Sequence, residues 1–186
     1  MVDLYQQLVK DHIVLSRVLE TLDNAVSHYD EEDSIYPSLP LILDALTYIQ
    51  SYPEVFHHPL EELAFTYLQQ HNLGDQQVIT EIRQQHRELE QETAYLSQQF
   101  NAIVNDCVVP LDTLKPRFDA FIKAQMHHLH TENQKIFPTL KALPESAWWD
   151  IASGIAIHQD PLFNEEPTRQ SFNSLAEYIL APSSAD

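Results

Sequence analysis

Apolar residues recur at steps of three and four from the start of the chain, where Leu4, Leu8, Leu15, Val18, Leu22 and Val26 form one stripe. That spacing is the mark of an amphipathic helix with one face on a core, and it predicts a helix over 3–29. The acidic stretch "YDEEDSIYP" breaks it, and a second apolar run, "LILDALTYI", begins at Ser38 or Pro40 and continues to about His71. Pro53 and Pro59 fall inside this run. Each removes a backbone donor and crowds the preceding turn, so a kink or restart is expected between about 53 and 59. Gly74 supplies a stop and Asp75 a cap, after which "VITEIRQQHRELEQETAYLSQQF" predicts a third long helix. A fourth follows Pro110, with Asp112 as its expected cap and Pro116 near its first turn, and runs to about Pro138. Beyond it come a short helical stretch near "PESAWWDIASGIA", a loop "HQDPLFNEEP" and a last helix from about Thr168 to Leu180. This tail is expected to pack across one end of the four helices.

The pattern predicts an all-α protein. Its four long helices would form an up-down antiparallel four-helix bundle over 1–142, with a C-terminal helical extension over 143–186 packed on it. Composition agrees: 186 residues at 44% hydrophobic content suffice for one core, and two glycines are too few for a fold rich in tight turns. Twenty-eight acidic against ten basic residues give a formal charge of -18, which argues against nucleic acid and anionic membrane surfaces as partners. No apolar run approaches the roughly 20 residues that a membrane span requires. Cys107 has no partner for an internal disulfide, and "MVDLYQQLVKDH" lacks the basic and apolar regions of a signal peptide, so the cytoplasm is the expected location.

Histidine adds a chemical reading. His57 precedes Glu61 by four residues and His128 precedes Glu132 by four, which sets each imidazole beside its carboxylate on one helix face. The first and third helices carry single interior histidines, His12 and His86. The chain order is therefore His, HxxxE, His, HxxxE, with nearly equal intervals within the two halves, as if one helical hairpin were used twice. Folded as a bundle, the halves would bring His12, His57, Glu61, His86, His128 and Glu132 to one level of the core, related by a pseudo-twofold. The row from His57 continues through Glu61, Ala64 and Leu68 and should be buried. The neighbouring row of His58, Glu62, Phe65 and Gln69 is more polar, so His58 and Glu62 are expected at a wet rim behind the site. Glu90 is a further candidate, with solvent as its default. His28, His71, His127, His130 and His158 lack a carboxylate in helical register or point elsewhere.

These landmarks resemble the hemerythrin-like, HHE cation-binding proteins: "KDHIVL", "FHHPLEELAF", "QQHREL", "HLHTENQKIFP" and a late "DPLF", spread from Asp11 to Phe163. The resemblance implies a four-helix bundle around a non-haem di-iron centre and the same six side chains as its ligands. Two positions depart from the oxygen carriers of that family. Where they have a second histidine on the third helix, this chain has Ile82; where they place an aspartate five residues after the fourth-helix histidine, it has Glu132 at four and Asn133 at five. Reversible oxygen carriage is not expected. Imidazole with carboxylate suits iron, with manganese or zinc as substitutes. Four histidines, two bridging glutamates and an oxo or hydroxo bridge would fill about ten of the twelve positions of two octahedral ions, leaving room for a small diatomic or anionic ligand. The expected function is to bind, sense or reduce O2, NO or peroxide, in oxidative or nitrosative stress. The alternatives are an iron-handling module for storage, donation or sensing without turnover, and a structural metal site.

Overall fold

In the first helix, α1 (Leu4–Ser27), all six residues of the predicted stripe are buried, from Leu4 to Val26. The structure is a computed structural model that describes residues 3–27, 38–155, 160–163 and 172–180. Among them every regular element is helical: α2 (Ser38–Ser51), α3 (His58–Gln70), α4 (Gln76–Val104), α5 (Leu111–Thr131), α6 (Phe137–Lys141), α7 (Glu145–Ala152) and α8 (Asn173–Leu180) follow α1. Thr168, the expected start of the last helix, lies outside the described residues, as do His28 and His158.

The expected interruption between 53 and 59 is a π turn, Pro53–His57, joining α2 to α3. Pro59 has no N–H for the Val55 carbonyl, and its ring would crowd that carbonyl in a regular helix. The chain opens by one residue, and the His58 N–H reaches back five positions to the Pro53 carbonyl. The same device recurs between α5 and α6. A second π turn, Glu132–Ile136, is closed by the Phe137 N–H on the Glu132 carbonyl, and Pro138 follows immediately. Helix four thus runs past Pro138 to Lys141 rather than stopping there. Each HxxxE pair touches one of these turns: His57 ends the first and Glu132 opens the second.

Other stops follow local chemistry. Gly74 has φ +70, a conformation that suits glycine, and Asp75 then caps α4 by accepting from the N–H groups of Gln77 at 3.0 Å and Val78 at 3.2 Å. Asp112 does not cap α5, contrary to expectation. Pro110 stands at the cap position and Asp112 lies inside the first turn, where its charge still favours the helix dipole.

The four rods α1, α2–α3, α4 and α5–α6 pack in a closed order, with α1 on α2, α2 on α4, α4 on α5 and α5 back on α1. Their interior holds two apolar clusters. The larger runs from Val14 through Leu22, Leu46, Leu96 and Phe118, and the smaller gathers Leu8, Leu60, Phe65, Ile82, Phe137 and Ile151. The tail is shared between them rather than lying across one end. Leu175, Ala176 and Ile179, with Phe172 just before the helix, bury α8 in the larger cluster against α1 and α2, while Ile151 carries α7 onto α3 in the smaller. Between the clusters lies a belt of buried polar side chains.

Candidate metal centre

The belt is built by His12 of α1, His57 at the end of the first π turn, Glu61 of α3, His86 of α4, His128 of α5 and Glu132 at the head of the second π turn, all at most 3% exposed. The structure brings all six sequence-predicted residues together. Glu61 spans the group, with Oε1 3.3 Å from His12 Nε2 and 3.4 Å from His57 Nε2, and Oε2 3.4 Å from His86 Nε2. Glu132 does the same from the other side: Oε2 lies 3.2 Å from His128 Nε2 and 3.4 Å from His12 Nε2, and Oε1 lies 3.4 Å from His86 Nε2.

Seven of the inward atoms have no hydrogen-bond partner. Nε2 of His12, His86 and His128 and both oxygens of Glu61 and Glu132 are buried without one. Seven such atoms converging on one space would be costly to bury unless something else binds them, and a cation meets that need. Each also belongs to a residue type that ligates transition metals. Two overlapping triads, His12–His57–Glu61 and Glu61–His86–Glu132, have donor atoms within 4.8 Å of one another.

The outward nitrogens are all held, and the holders follow a rule. Asp11, beside His12 in the sequence, places Oδ2 3.0 Å from His57 Nδ1. Glu62, beside Glu61, places Oε1 3.2 Å from His86 Nδ1. Gln85, beside His86, holds His128 Nδ1 at 3.1 Å, and Asn133, beside Glu132, holds His12 Nδ1 at 3.1 Å. The chain neighbour of one helix's donor thus fixes the imidazole of the next, and the ring closes on itself. An acceptor on Nδ1 puts the proton there and leaves the Nε2 lone pair facing inward, the tautomer a metal requires. Asp11 is itself secured by Gln7 Nε2 at 2.7 Å and by the Tyr52 hydroxyl at 3.3 Å.

His58 corrects the sequence reading. It is buried, not at a wet rim, because α4 lies over this row: its ring stacks on His86 and Nδ1 sits 3.1 Å from Glu90 Oε1. Phe65 of the same row is fully buried. Glu62 is half-exposed as expected and also pairs with Arg83 Nε at 3.0 Å. Glu90 faces His58. His71, His127 and His130 are exposed.

Electrostatics sort the groups. Burial alone would lower His57, but Glu61 and Asp11 outweigh it and raise its pKa to about 10. Burial is likewise overcome at His86 by Glu132, Glu61 and Glu62, which raise it to about 11. Burial prevails at His58 and takes it down to about 4. The two buried carboxylates part company: burial would raise Glu61, yet the histidines, His57 foremost, hold it well below the carboxylate range, while burial and then Glu61 raise Glu132. A cation at the centre would displace protons from these same atoms.

No helix among the described residues is long and apolar enough to cross a membrane. The family model described as "Hemerythrin HHE cation binding domain" matches residues 3–140. No curated protein and no solved structure matches the chain.

Proposed function

Because this chain belongs to the hemerythrin HHE cation-binding domain family, we propose that it holds two non-haem iron ions, with manganese or zinc as substitutes, and uses them to bind, sense or reduce a small ligand such as O2, NO or peroxide. The observation that carries this reading is the set of seven buried, unpartnered oxygens and nitrogens of His12, His86, His128, Glu61 and Glu132 that face one another. His12 and His57 would hold one ion, His86 and His128 the other, and Glu61 and Glu132 would bridge them. The short connections 71–75 and 105–110 support an up-down sense for the bundle around this centre.

Paired iron ions supply Lewis acidity and electrons to a small molecule brought beside them. The chain supplies the rest. Asp11, Glu62, Gln85 and Asn133 hold four imidazoles in the required tautomer, the bridging carboxylates fix the spacing, and the flanking apolar clusters exclude water. Two carboxylates contribute less negative charge than the four of carboxylate-rich di-iron proteins, so high oxidation states receive less support and binding or reduction of a small ligand is favoured.

The test is metal analysis followed by spectroscopy. Purified protein should carry about two iron ions per chain, and adding NO, O2 or azide to the anaerobically reduced form should change its near-UV and visible absorption. A flat response with full iron would leave a structural site, and rapid loss of iron to a weak chelator would indicate iron handling instead.

A further inference from the structure

His58 is left over from the six-residue reading. Its imidazole is 6% exposed, and its ring lies face to face with that of His86, centroids 4.2 Å apart and planes 13° apart, while its plane makes 75° with that of His128. Donor atoms of His58, His86 and His128 lie within 4.8 Å of one another. Like the other four imidazoles of the belt, His58 has Nδ1 engaged by an acceptor, here Glu90 Oε1 at 3.1 Å, so Nε2 is the nitrogen that would serve a metal. The pseudo-twofold is thereby broken: His12 and His57 stand on one side, His58, His86 and His128 on the other.

Resting on the di-iron reading above, we propose that His58 is a third nitrogen donor on the His86 and His128 side and that it is displaceable, yielding its place to the incoming small ligand. An imidazole lone pair lies in the plane of its ring. Two rings stacked nearly parallel cannot both aim their lone pairs straight at one ion, so one of them must bind obliquely and more weakly. His86 Nε2 faces both carboxylates, 3.4 Å from Glu61 and from Glu132, and its Nδ1 lies 3.2 Å from Glu62. His58 is engaged only at Nδ1, by Glu90, whose side chain is about as exposed as that of Glu62, so the two rings differ at Nε2, which in His86 faces both carboxylates. The oblique share falls to His58. It would occupy one of the two positions the six residues leave open, and exchange there with a ligand from solution.

Azide is the probe, titrated against the iron-loaded full chain and followed by visible absorption. In the parent the rate of azide binding on the His86 and His128 side should level off at high azide, because on that side His58 must leave first. His58→Ala should retain both irons, bind azide roughly tenfold more tightly, a factor at the lower end of what loss of a metal-site partner changes, and show a rate that rises linearly with azide. Free imidazole should restore the parent behaviour to that variant. Glu90→Gln leaves the imidazole in place and weakens its hold, so it should shift affinity in the same direction by a smaller factor, and it answers the question if His58→Ala does not fold. Unchanged azide affinity and rate law in both variants would overturn the proposal by reducing His58 to a stacking partner. Loss of one iron from His58→Ala would overturn it too, as the sign of a fixed ligand. A parent that holds no iron pair is a different failure, since it strikes the di-iron reading first.

Discussion

Asp11 Oδ2 stands 3.0 Å from His57 Nδ1, carboxylate against imidazole with both side chains buried, and so fixes which nitrogen of His57 faces the centre. Gln7 and Tyr52 hold the carboxylate in turn. Outer partners of this kind tune metal affinity by roughly 10- to 100-fold. Asp11→Ala should weaken binding by a factor in that range, and Asp11→Asn, which keeps an acceptor but loses the charge, by less. A competition titration against a chelator measures both. Equal affinity in parent and Asp11→Ala would show that packing alone orients His57.

The donors themselves should matter more. His57→Ala and His128→Ala are expected to lower the metal content below about two ions per chain and to reduce thermal stability, since a cation held only by the folded state adds to its free energy. Elemental analysis and melting curves test this together. Full occupancy in both variants would remove His57 and His128 from the set.

The second π turn is, in effect, one residue added to an α-helix, and Pro138 is what keeps it open. Deleting exposed Lys135 together with Pro138→Ala should therefore leave fold and metal loading intact, because the segment can close into a regular helix with its downstream residues in place. Deleting exposed Lys123 from the regular part of α5 should not be tolerated, since it turns every following side chain by about 100°. Circular dichroism melts and metal content separate the two cases. Equal damage from both deletions would show that the π turn is needed for more than phase.

Glu54 offers a pH-dependent test away from the donors. Burial, with Glu90 nearby, raises its pKa to about 7, and its Oε1 has no partner. The folded state then binds more protons than the unfolded one between about 4.5 and 7, so stability falls as pH rises through that window. Glu54→Gln cannot ionise. It should match the parent near pH 4 and exceed it near pH 8 by on the order of 1 kcal/mol, a figure reduced for the partial exposure of the side chain. Denaturant unfolding at the two pH values measures the difference, and a gain of equal size at both would exclude ionisation as its cause.

Much of this was legible in the chain. The stripe of α1 needed only the period of a helix, the break at Gly74 and Asp75 only turn and cap chemistry, and the convergence of six residues only the repeated His and HxxxE order. What stayed hidden depends on which helix lies over which. The sequence shows one apolar row on α3 and so places His58 at a wet rim, but α3 is covered by α4 as well, and the row of His58 and Phe65 is buried too. The prolines announced an interruption, yet the interruption's form depends on where the displaced carbonyls find donors. Asp11, Gln85 and Asn133 looked like ordinary polar residues. Their partners lie on other helices, and only adjacency to a donor residue hinted at them.

The closed ring of acceptors has a kinetic consequence. Each of Asp11, Glu62, Gln85 and Asn133 grips an imidazole on a different helix from its own, so sliding any one rod by a turn would break two grips at once. The four rods are therefore indexed against one another by side chains that no cation has to organise. A site assembled beforehand gives up little entropy at the moment of capture. Metal uptake should then be limited by the journey through the bundle wall, and the cation would find a socket already cut to its shape.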